Sequence, residues 1–334
     1  SAKLQVGHPP GAPLFQMLGA IFSTFAFESD QIALSINMMS VTSSALTILF
    51  LFWSISHLIK GFVSIKKNIS IIEAIKIFGS STLGSLTFTF TDSFWYNAVE
   101  AEVYAMASLI LSLLFWLGLK WVENIDSERG DKWLILISFV IGLSFGVHFM
   151  GLLAIPAIGL LYYFKKYTFN LGSFLLANII SISILLFIFK LLLPTTLSIF
   201  GYVEVFFVNE IGLPFNYGTI FSAILLILTV YYLLNKSFKK NNYMLNTITL
   251  CITFIFIGFS SWLMIPIRSN ANTVINENAP SDARSLLAYY NLEQYPDTYL
   301  FRGPMYSDIY SGQDEDEPYK DDKPKYERDY KKNK

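Results

Sequence analysis

Long apolar runs, separated by short polar segments, dominate the pattern of residues along this chain. Most of them reach the roughly 17 to 25 residues that a helix needs to cross about 30 Å of hydrocarbon. The runs cover residues 32–58, 69–90, 103–121, 133–150, 151–165, 170–192, 217–234 and 243–265. The pattern therefore predicts an all-α fold, a polytopic transmembrane helical bundle with about eight spans.

Two apolar segments fit this pattern less well than the others. The run 151–165 is short for a span and contains Pro156. The run 12–27 contains Pro13 and Gly19, and we expect it to lie in the membrane interface rather than to cross. We therefore predict four regions. Residues 1–31 form an outward loop with an interfacial helix, and residues 32–266 form the transmembrane bundle. Residues 267–310 form an extracytoplasmic polar segment, and residues 311–334 form a disordered charged tail.

Lysine and arginine residues fall on alternate connections between the predicted spans. Cytoplasmic loops of membrane proteins are enriched in these two residues. With eight spans, one side of the membrane receives Lys60, Lys66, Lys67, Lys76, Lys120, Arg129, Lys132, Lys165, Lys166, Lys236, Lys239 and Lys240. We predict that this side is cytoplasmic, so both ends of the chain are expected to face outward.

Composition supports a membrane protein. Of the 334 residues, 53% are hydrophobic and 15% are charged, and the mean hydropathy is +0.47. Soluble domains carry about 25% charged residues. Of the charged side chains, 15 lie in residues 311–334, a proline-broken stretch that has little to bury and is predicted to be disordered.

Composition also bears on partners. The formal net charge is −1, and no basic stripe indicates a nucleic-acid partner. A single cysteine excludes a disulfide framework within the chain. None of the usual zinc, nucleotide or hydrolase signatures occurs, so no metal site is predicted.

Ionisable residues on the outward side are functional candidates, because such groups are costly near membrane depth. For Glu28, Asp30 and Glu204, a position in a solvated loop is the preferred interpretation. The outward set is His8, Glu28, Asp30, Asp92, Glu100, Glu102, His148, Glu204, Glu210 and Arg268.

The first informative stretch is GHPPGAP, residues 7–13. Its prolines fix an extended turn, and its glycines permit close approach of the backbone. His8 in such a frame would be oriented at the membrane surface. A surface histidine in an ordinary helix-entry turn is the alternative.

The second stretch is TDSFWYNAVEAEVY, residues 91–104, which leads into the third span. Glu100 and Glu102 would lie about 200° apart around a helix, so they cannot form one carboxylate pair. Trp95 shares a face with Glu102, and Glu100 with Tyr104. The aromatic residues fit an interfacial belt equally well, whereas a carboxylate that enters a span favours a functional role for Glu102.

The third stretch is GLSFGVHF, residues 142–149. Gly142 and Gly146 are four residues apart, a spacing that suits close packing of helices. His148 lies near the outer end of its span. It fits a site residue and a hydrogen-bonding residue between helices equally well.

These stretches resemble a known family. GHPPGAPLFQMLGAIFS, the helix start INMMS at 36–40 and FWYNAVEAEVYAM are similar to a bacterial membrane-protein domain of formerly unknown function. That domain is related to the eukaryotic protein O-mannosyltransferases that act on plexin-type receptors. The resemblance covers about residues 1–165, and the pieces PIRS at 266–269 and LEQY at 292–295 are similar to its outward region.

The resemblance implies a GT-C-type glycosyltransferase, expected in a bacterial inner membrane. Such an enzyme moves a sugar, with mannose as one candidate, from a polyprenyl-phosphate donor to a hydroxyl of a protein or an envelope glycan. Beyond that donor substrate, no cofactor is implied. The catalytic candidates are Glu102, His8 and Asp92. The substrate-binding candidates are Arg268, expected on the donor phosphate, and Trp95, Asn97, Glu100, Tyr104 and His148.

The sequence departs from the family in one respect. The family's principal catalytic acid lies in an acidic motif upstream of the position that matches Ser1, so this chain is expected to be a fragment that is inactive alone. Two other functions remain open. A transporter or flippase for a lipid-linked sugar should have ionisable groups at midplane in several helices, and only Lys190, near the end of a span, suggests this, which disfavours that function. A catalytically inactive membrane scaffold is the third possibility.

Overall fold

The computed structural model describes residues 1–62, 69–295 and 326–334 of the chain. The regular elements in this part are helices, and a single bridge pairs Val6 with Asn276. The α-helices are α1 (Pro13–Ser23), α2 (Ile32–Phe62), α3 (Ile71–Ala74), α4 (Ser80–Thr89), α5 (Asp92–Val99), α6 (Val103–Glu123), α7 (Asp131–Ser144), α8 (Ala154–Lys166), α9 (Leu171–Leu186), α10 (Leu193–Asn209), α11 (Tyr217–Lys239), α12 (Tyr243–Phe259), α13 (Met264–Ser269) and α14 (Ala283–Tyr290).

Shorter helical turns extend several of these elements. There are 3₁₀ turns at Ser29–Gln31, Phe149–Leu153 and Ser260–Leu263. Two π-helical turns, Ile75–Gly79 between α3 and α4 and Phe187–Leu192 between α9 and α10, interrupt otherwise continuous helices.

Six helical segments in the described part are long and apolar enough to cross a membrane. They are Ser29–Phe62, Val103–Glu123, Phe149–Lys166, Leu171–Asn209, Tyr217–Lys239 and Tyr243–Ser269. The all-α polytopic fold is therefore confirmed, but the predicted count of eight spans is not reached. Of the other two predicted spans, α7 has 14 residues and rises only about 21 Å, and the stretch from α3 to α4 is less apolar because it contains Glu73, Lys76 and several serine and threonine residues.

The apolar run predicted to end at residue 192 continues as helix to Asn209. Pro194 lies two residues after the π-helical turn Phe187–Leu192, and a local π-helical adjustment accommodates the backbone hydrogen bond that proline cannot make. This extension moves Glu204 out of the predicted outward loop and into α10. The interpretation of Glu204 as a solvated loop residue is wrong, because its side chain is buried.

Helix α6 lies at the centre of the bundle and packs against α2, α7 and α8. Beside it, α7 and α12 approach so closely that a Cβ atom on Gly142 would lie 2.2 Å from the carbonyl oxygen of Ile255. On α12, Gly258 faces the backbone of α7 with the same lack of space. The predicted role of Gly142 in helix packing is confirmed.

Polar contacts identify the two ends of the bundle. At one end His57 lies 3.9 Å from Glu123, Lys166 pairs with Asp126, and Thr247 donates a hydrogen bond to Asp131. This is the lysine-rich end, although Lys66 and Lys67 lie outside the described residues. Its assignment to the cytoplasm stays a prediction. The opposite end carries most of the predicted site.

Candidate functional site

The first residues of the chain are attached to the α13–α14 region. The Val6 N–H donates to the Ile275 carbonyl and the Glu277 N–H donates to the Val6 carbonyl, each at 3.0 Å. The Tyr289 hydroxyl donates to the Gly7 carbonyl at 2.6 Å. Burial raises the pKa of Tyr289, which keeps this donor protonated. Residues 1–12, the N-terminal segment, are thereby fixed at this end.

Arg268 is part of the same attachment. Its Nε donates to the Leu4 carbonyl at 2.8 Å, and one terminal nitrogen donates to the Lys3 carbonyl at 3.1 Å. Two of its five N–H donors therefore hold the N-terminal segment. The predicted contact of Arg268 with a donor phosphate is untested, and the structure adds an anchoring role that the sequence did not suggest.

His8 is exposed in a tight turn that leads into α1. The turn is closed by the Gly11 N–H, which donates to the His8 carbonyl at 2.9 Å. Gly11 has a φ of +73°, and a Cβ atom there would lie 2.5 Å from the Tyr289 hydroxyl, so only glycine fits. The first amides of α1, those of Leu14 and Phe15, donate to the Gly146 carbonyl.

Gly146 belongs to the link between α7 and the 3₁₀ turn at Phe149–Leu153, and the same link contains His148. The Nδ1 atom of His148 accepts a hydrogen bond from the Met150 N–H at 3.1 Å. Burial lowers the pKa of His148, which favours the neutral ring that can accept this bond. Its ring centroid lies 5.5 Å from that of Tyr104. Two predicted substrate-binding residues are therefore neighbours.

The remaining candidates lie on α5 and at the start of α6. Asp92 begins α5, the Trp95 ring stacks on Phe90, and the Asn97 amide donates to the Ser93 carbonyl. Glu100 and Glu102 are exposed in the connection to α6.

Contacts therefore join only part of the predicted site. Within residues 1–62, 69–295 and 326–334, the carboxylate of Glu102 forms no hydrogen bond or ion pair with His8 or Arg268. In the same ranges no three His, Cys, Asp or Glu side chains are grouped closely enough to hold a metal ion. The catalytic roles of Glu102, His8 and Asp92 stay predictions.

A second polar cluster was missed by sequence reasoning. Glu204 on α10 is 4% exposed, and its carboxylate accepts hydrogen bonds from the Asn216 N–H and from the N–H and hydroxyl of Thr219. It thereby caps the start of α11 from a neighbouring helix, where the unpaired amides and the helix dipole favour a negative charge. The available signal was the spacing of Leu197, Gly201, Glu204 and Val208, which places all four on one face of a helix.

Residues 326–334, the C-terminal segment, contact this cluster. The guanidinium of Arg328 lies 3.7 Å from Glu204 and 3.6 Å from Asp282, and it covers the ring of Phe215 at 4.7 Å. A shallow pocket of about 50 Å³ lies between these groups. The rest of the tail predicted to be disordered, residues 311–325, lies outside the described residues.

Comparison of the sequence with known proteins identifies relatives of this chain. A family model described as "Protein O-mannosyl-transferase TMEM260 N-terminal domain" matches residues 1–171. The chain is 26% identical over 162 residues to "Protein O-mannosyl-transferase tmem260" of Dictyostelium discoideum. The aligned region covers 45% of this chain and 18% of that relative. It is 26% identical over 145 residues to "Protein O-mannosyl-transferase TMEM260" of Mus musculus, 42% of this chain and 18% of the relative.

The chain therefore covers 18% of the length of each of these two relatives. No solved structure matches the chain significantly. The family match includes the His8 turn, α5, the start of α6 and His148, and it ends before α10, Arg268 and the Glu204 cluster.

Proposed function

Because this chain belongs to the family of the protein O-mannosyl-transferase TMEM260 N-terminal domain, we propose that it forms a membrane part of a glycosyltransferase. The reaction moves a hexose, with mannose as the first candidate, from a polyprenyl-phosphate donor to a hydroxyl of a protein or an envelope glycan. The observation that carries this proposal is the match over residues 1–171. That range holds every predicted site residue except Arg268.

The proposed chemistry is a substitution at the anomeric carbon of the donor sugar. The acceptor oxygen forms a bond to that carbon, the bond to the phosphate oxygen breaks, and the polyprenyl phosphate leaves with the electron pair. The acceptor proton passes to a carboxylate, and we assign the positioning of that acceptor to Glu102 at the start of α6. Glu102 is exposed and lies two residues before Tyr104, whose ring contacts that of His148, and this position supports the assignment.

The first test uses the complete gene product in membranes supplied with a polyprenyl-phosphate sugar. Glu102→Gln and Arg268→Ala are each expected to lower sugar transfer at least tenfold, about 1.4 kcal/mol of transition-state stabilisation. Glu28→Gln, an exposed carboxylate before α2, is the matched control and should transfer at the wild-type rate. Because Arg268 also anchors the N-terminal segment, thermal stability is measured for each variant.

The outcomes separate the roles. Wild-type transfer by Glu102→Gln would exclude a role in the reaction for that carboxylate. If Arg268→Ala lost stability but kept its dependence on donor concentration, Arg268 would be an anchor only. Movement of the lipid-linked sugar across the membrane without transfer would favour a flippase and contradict the proposal.

The proposal also requires the site to face outward. Alkaline phosphatase is active only outside the cytoplasm, so fusions after Asn97 and after Asn272 are expected to be active. A fusion after Lys239, at the lysine-rich end, should be inactive. Activity of the Lys239 fusion would reverse the orientation and place the site in the cytoplasm.

A further inference from the structure

Lys190 is the only charged residue between Lys166 and Glu204. It lies in the π-helical turn Phe187–Leu192, within the longest apolar helical segment of the described part. The helix from Leu171 to Lys190 rises about 28 Å at 1.5 Å per residue, close to the thickness of the hydrocarbon layer. Lys190 is therefore at headgroup level, at the end of the bundle opposite Lys166.

The surroundings of Lys190 are apolar. Its Nζ lies 4.8 Å from the centroid of the Phe189 ring, and its neighbours Phe187 and Leu191 are 44% and 57% exposed on the lipid-facing side. In the described part of the chain no carboxylate lies within ion-pairing distance of Lys190. Lipid phosphates lie at this depth, so an anion from outside the protein can pair with the ammonium group of Lys190.

Aromatic contacts connect Lys190 to the predicted site. The Phe189 ring lies 5.2 Å from the ring of Phe149, and Phe149 directly follows His148. His148 in turn contacts Tyr104. Two N–H donors of Arg268, the cation first expected on the donor phosphate, are already held by the N-terminal segment. Lys190 is thus a cation that contacts the Phe189 ring but has no carboxylate partner among the described residues, and it lies near Phe149 at the predicted site.

We propose that Lys190 binds the phosphate of a membrane lipid at the outward surface, and that this lipid is the polyprenyl-phosphate donor. The inference rests on the proposed function, because the phosphate of a bulk phospholipid has the same chemistry at this depth. The lipid chain lies along the exposed face of α9, and the phosphate lies between the π-helical turn and the 3₁₀ turn at Phe149. π-Helical turns occur often at functional sites, and this one sets the direction in which Lys190 leaves the helix.

The experiment measures lipid binding directly, with the purified full chain in detergent and native mass spectrometry. One arm titrates a polyprenyl phosphate, and the other titrates phosphatidylglycerol, whose phosphate is carried by two acyl chains. Lys190→Met removes the charge and keeps an unbranched apolar side chain, and Lys190→Arg restores the charge. Lys236→Met is the matched control, because Lys236 also covers an aromatic ring, that of Tyr232 at 5.6 Å, but at the other end of the bundle.

Lys190→Met is expected to weaken binding of the polyprenyl phosphate at least tenfold, with Lys190→Arg and Lys236→Met within threefold of wild type. Phosphatidylglycerol binding should change less than threefold in all variants. Equal binding by wild type and Lys190→Met would overturn the inference and leave the proposed function standing. Equal losses in both arms would make Lys190 a general headgroup contact and also overturn it. If the wild-type chain bound no polyprenyl phosphate, the donor assignment itself would fail.

Discussion

Helices α6 and α11 have nearly the same length and mean hydropathy, but they differ in their surroundings. In the most apolar 18-residue stretch of each, 44% of the residues are buried in α6 and 11% in α11. A span must be apolar whether it faces protein or lipid, because lipid tails are as apolar as leucine. The comparison teaches that hydropathy predicts that a helix spans the membrane but not which helices it contacts. Small residues such as glycine at close contacts do indicate helix neighbours.

The largest effect is expected where the backbones of α7 and α12 meet. Gly142→Leu adds a side chain whose Cβ atom would lie only 2.2 Å from the Ile255 carbonyl oxygen. We expect a loss of more than about 3 kcal/mol, at or above the upper range for overpacking. The measurement is the folded fraction by size-exclusion chromatography and thermal unfolding in detergent.

Gly61 provides the control for Gly142. Among the described residues, no atom lies within 4 Å of a Cβ built there, so Gly61→Leu should leave stability within about 0.5 kcal/mol, as for a surface substitution. If both variants unfolded alike, close packing would not explain the requirement for glycine at position 142.

The next effect tests the two compared helices directly. Leu114 on α6 is fully buried, and Leu228 on α11 is 56% exposed. Leu114→Ala leaves a cavity and should cost about 2 to 4 kcal/mol, whereas Leu228→Ala lets lipid fill the space and should cost less than about 0.5 kcal/mol. The two free energies are compared by unfolding in mixed micelles. Similar losses would mean that α11 packs against protein in the membrane.

A smaller effect is expected at the cap of α11. Glu204→Gln removes the charge that accepts three hydrogen bonds from the start of that helix. Charge-assisted bonds are worth about 1.5 to 3 kcal/mol each, but the amide oxygen of glutamine can keep some of them. We expect a net loss of about 1 to 2 kcal/mol in thermal unfolding. Glu210→Gln, at an exposed carboxylate just after α10, is the control, and an equal loss there would exclude a specific capping role.

The smallest effect concerns the C-terminal segment. Arg328→Ala removes a 2.8 Å hydrogen bond to the Asn216 side chain and two ion pairs longer than 3.5 Å, and it should cost about 1 kcal/mol. Lys331→Ala is the matched change in the same segment. Because deletion of residues 313–334 removes Arg328 as well, it should cost about as much as Arg328→Ala. A deletion with no cost at all would show that the segment does not hold α10 and α14 together.

The comparison also explains which features the sequence could predict. The runs of apolar residues located the spans, because burial in lipid or protein selects the same side chains. The residues of the His8 turn and the α5–α6 connection carried a family resemblance that the match over residues 1–171 confirms. Both kinds of signal are local in the chain.

Contacts between distant segments were not predictable in the same way. Arg268 was read as an outward cation, and nothing near it in the sequence indicates that it binds the carbonyls of Lys3 and Leu4. Glu204 was placed in a loop because the apolar run was ended before Pro194, a residue that a membrane helix can accommodate beside a π-helical turn. The contacts of Arg268 and Glu204 depend on which helices become neighbours. The sequence does not indicate these neighbours, because lipid-facing and protein-facing surfaces have the same hydropathy.

The attachment of the N-terminal segment has a consequence for the order of events during synthesis. The Tyr289 hydroxyl binds the Gly7 carbonyl across 282 positions of the chain. At about 5 to 20 residues per second, the ribosome needs roughly 15 to 60 s to make the intervening polypeptide. For that time the turn around His8 has no partner from α14, so the predicted site cannot be completed until the last described helix of the bundle has been translated.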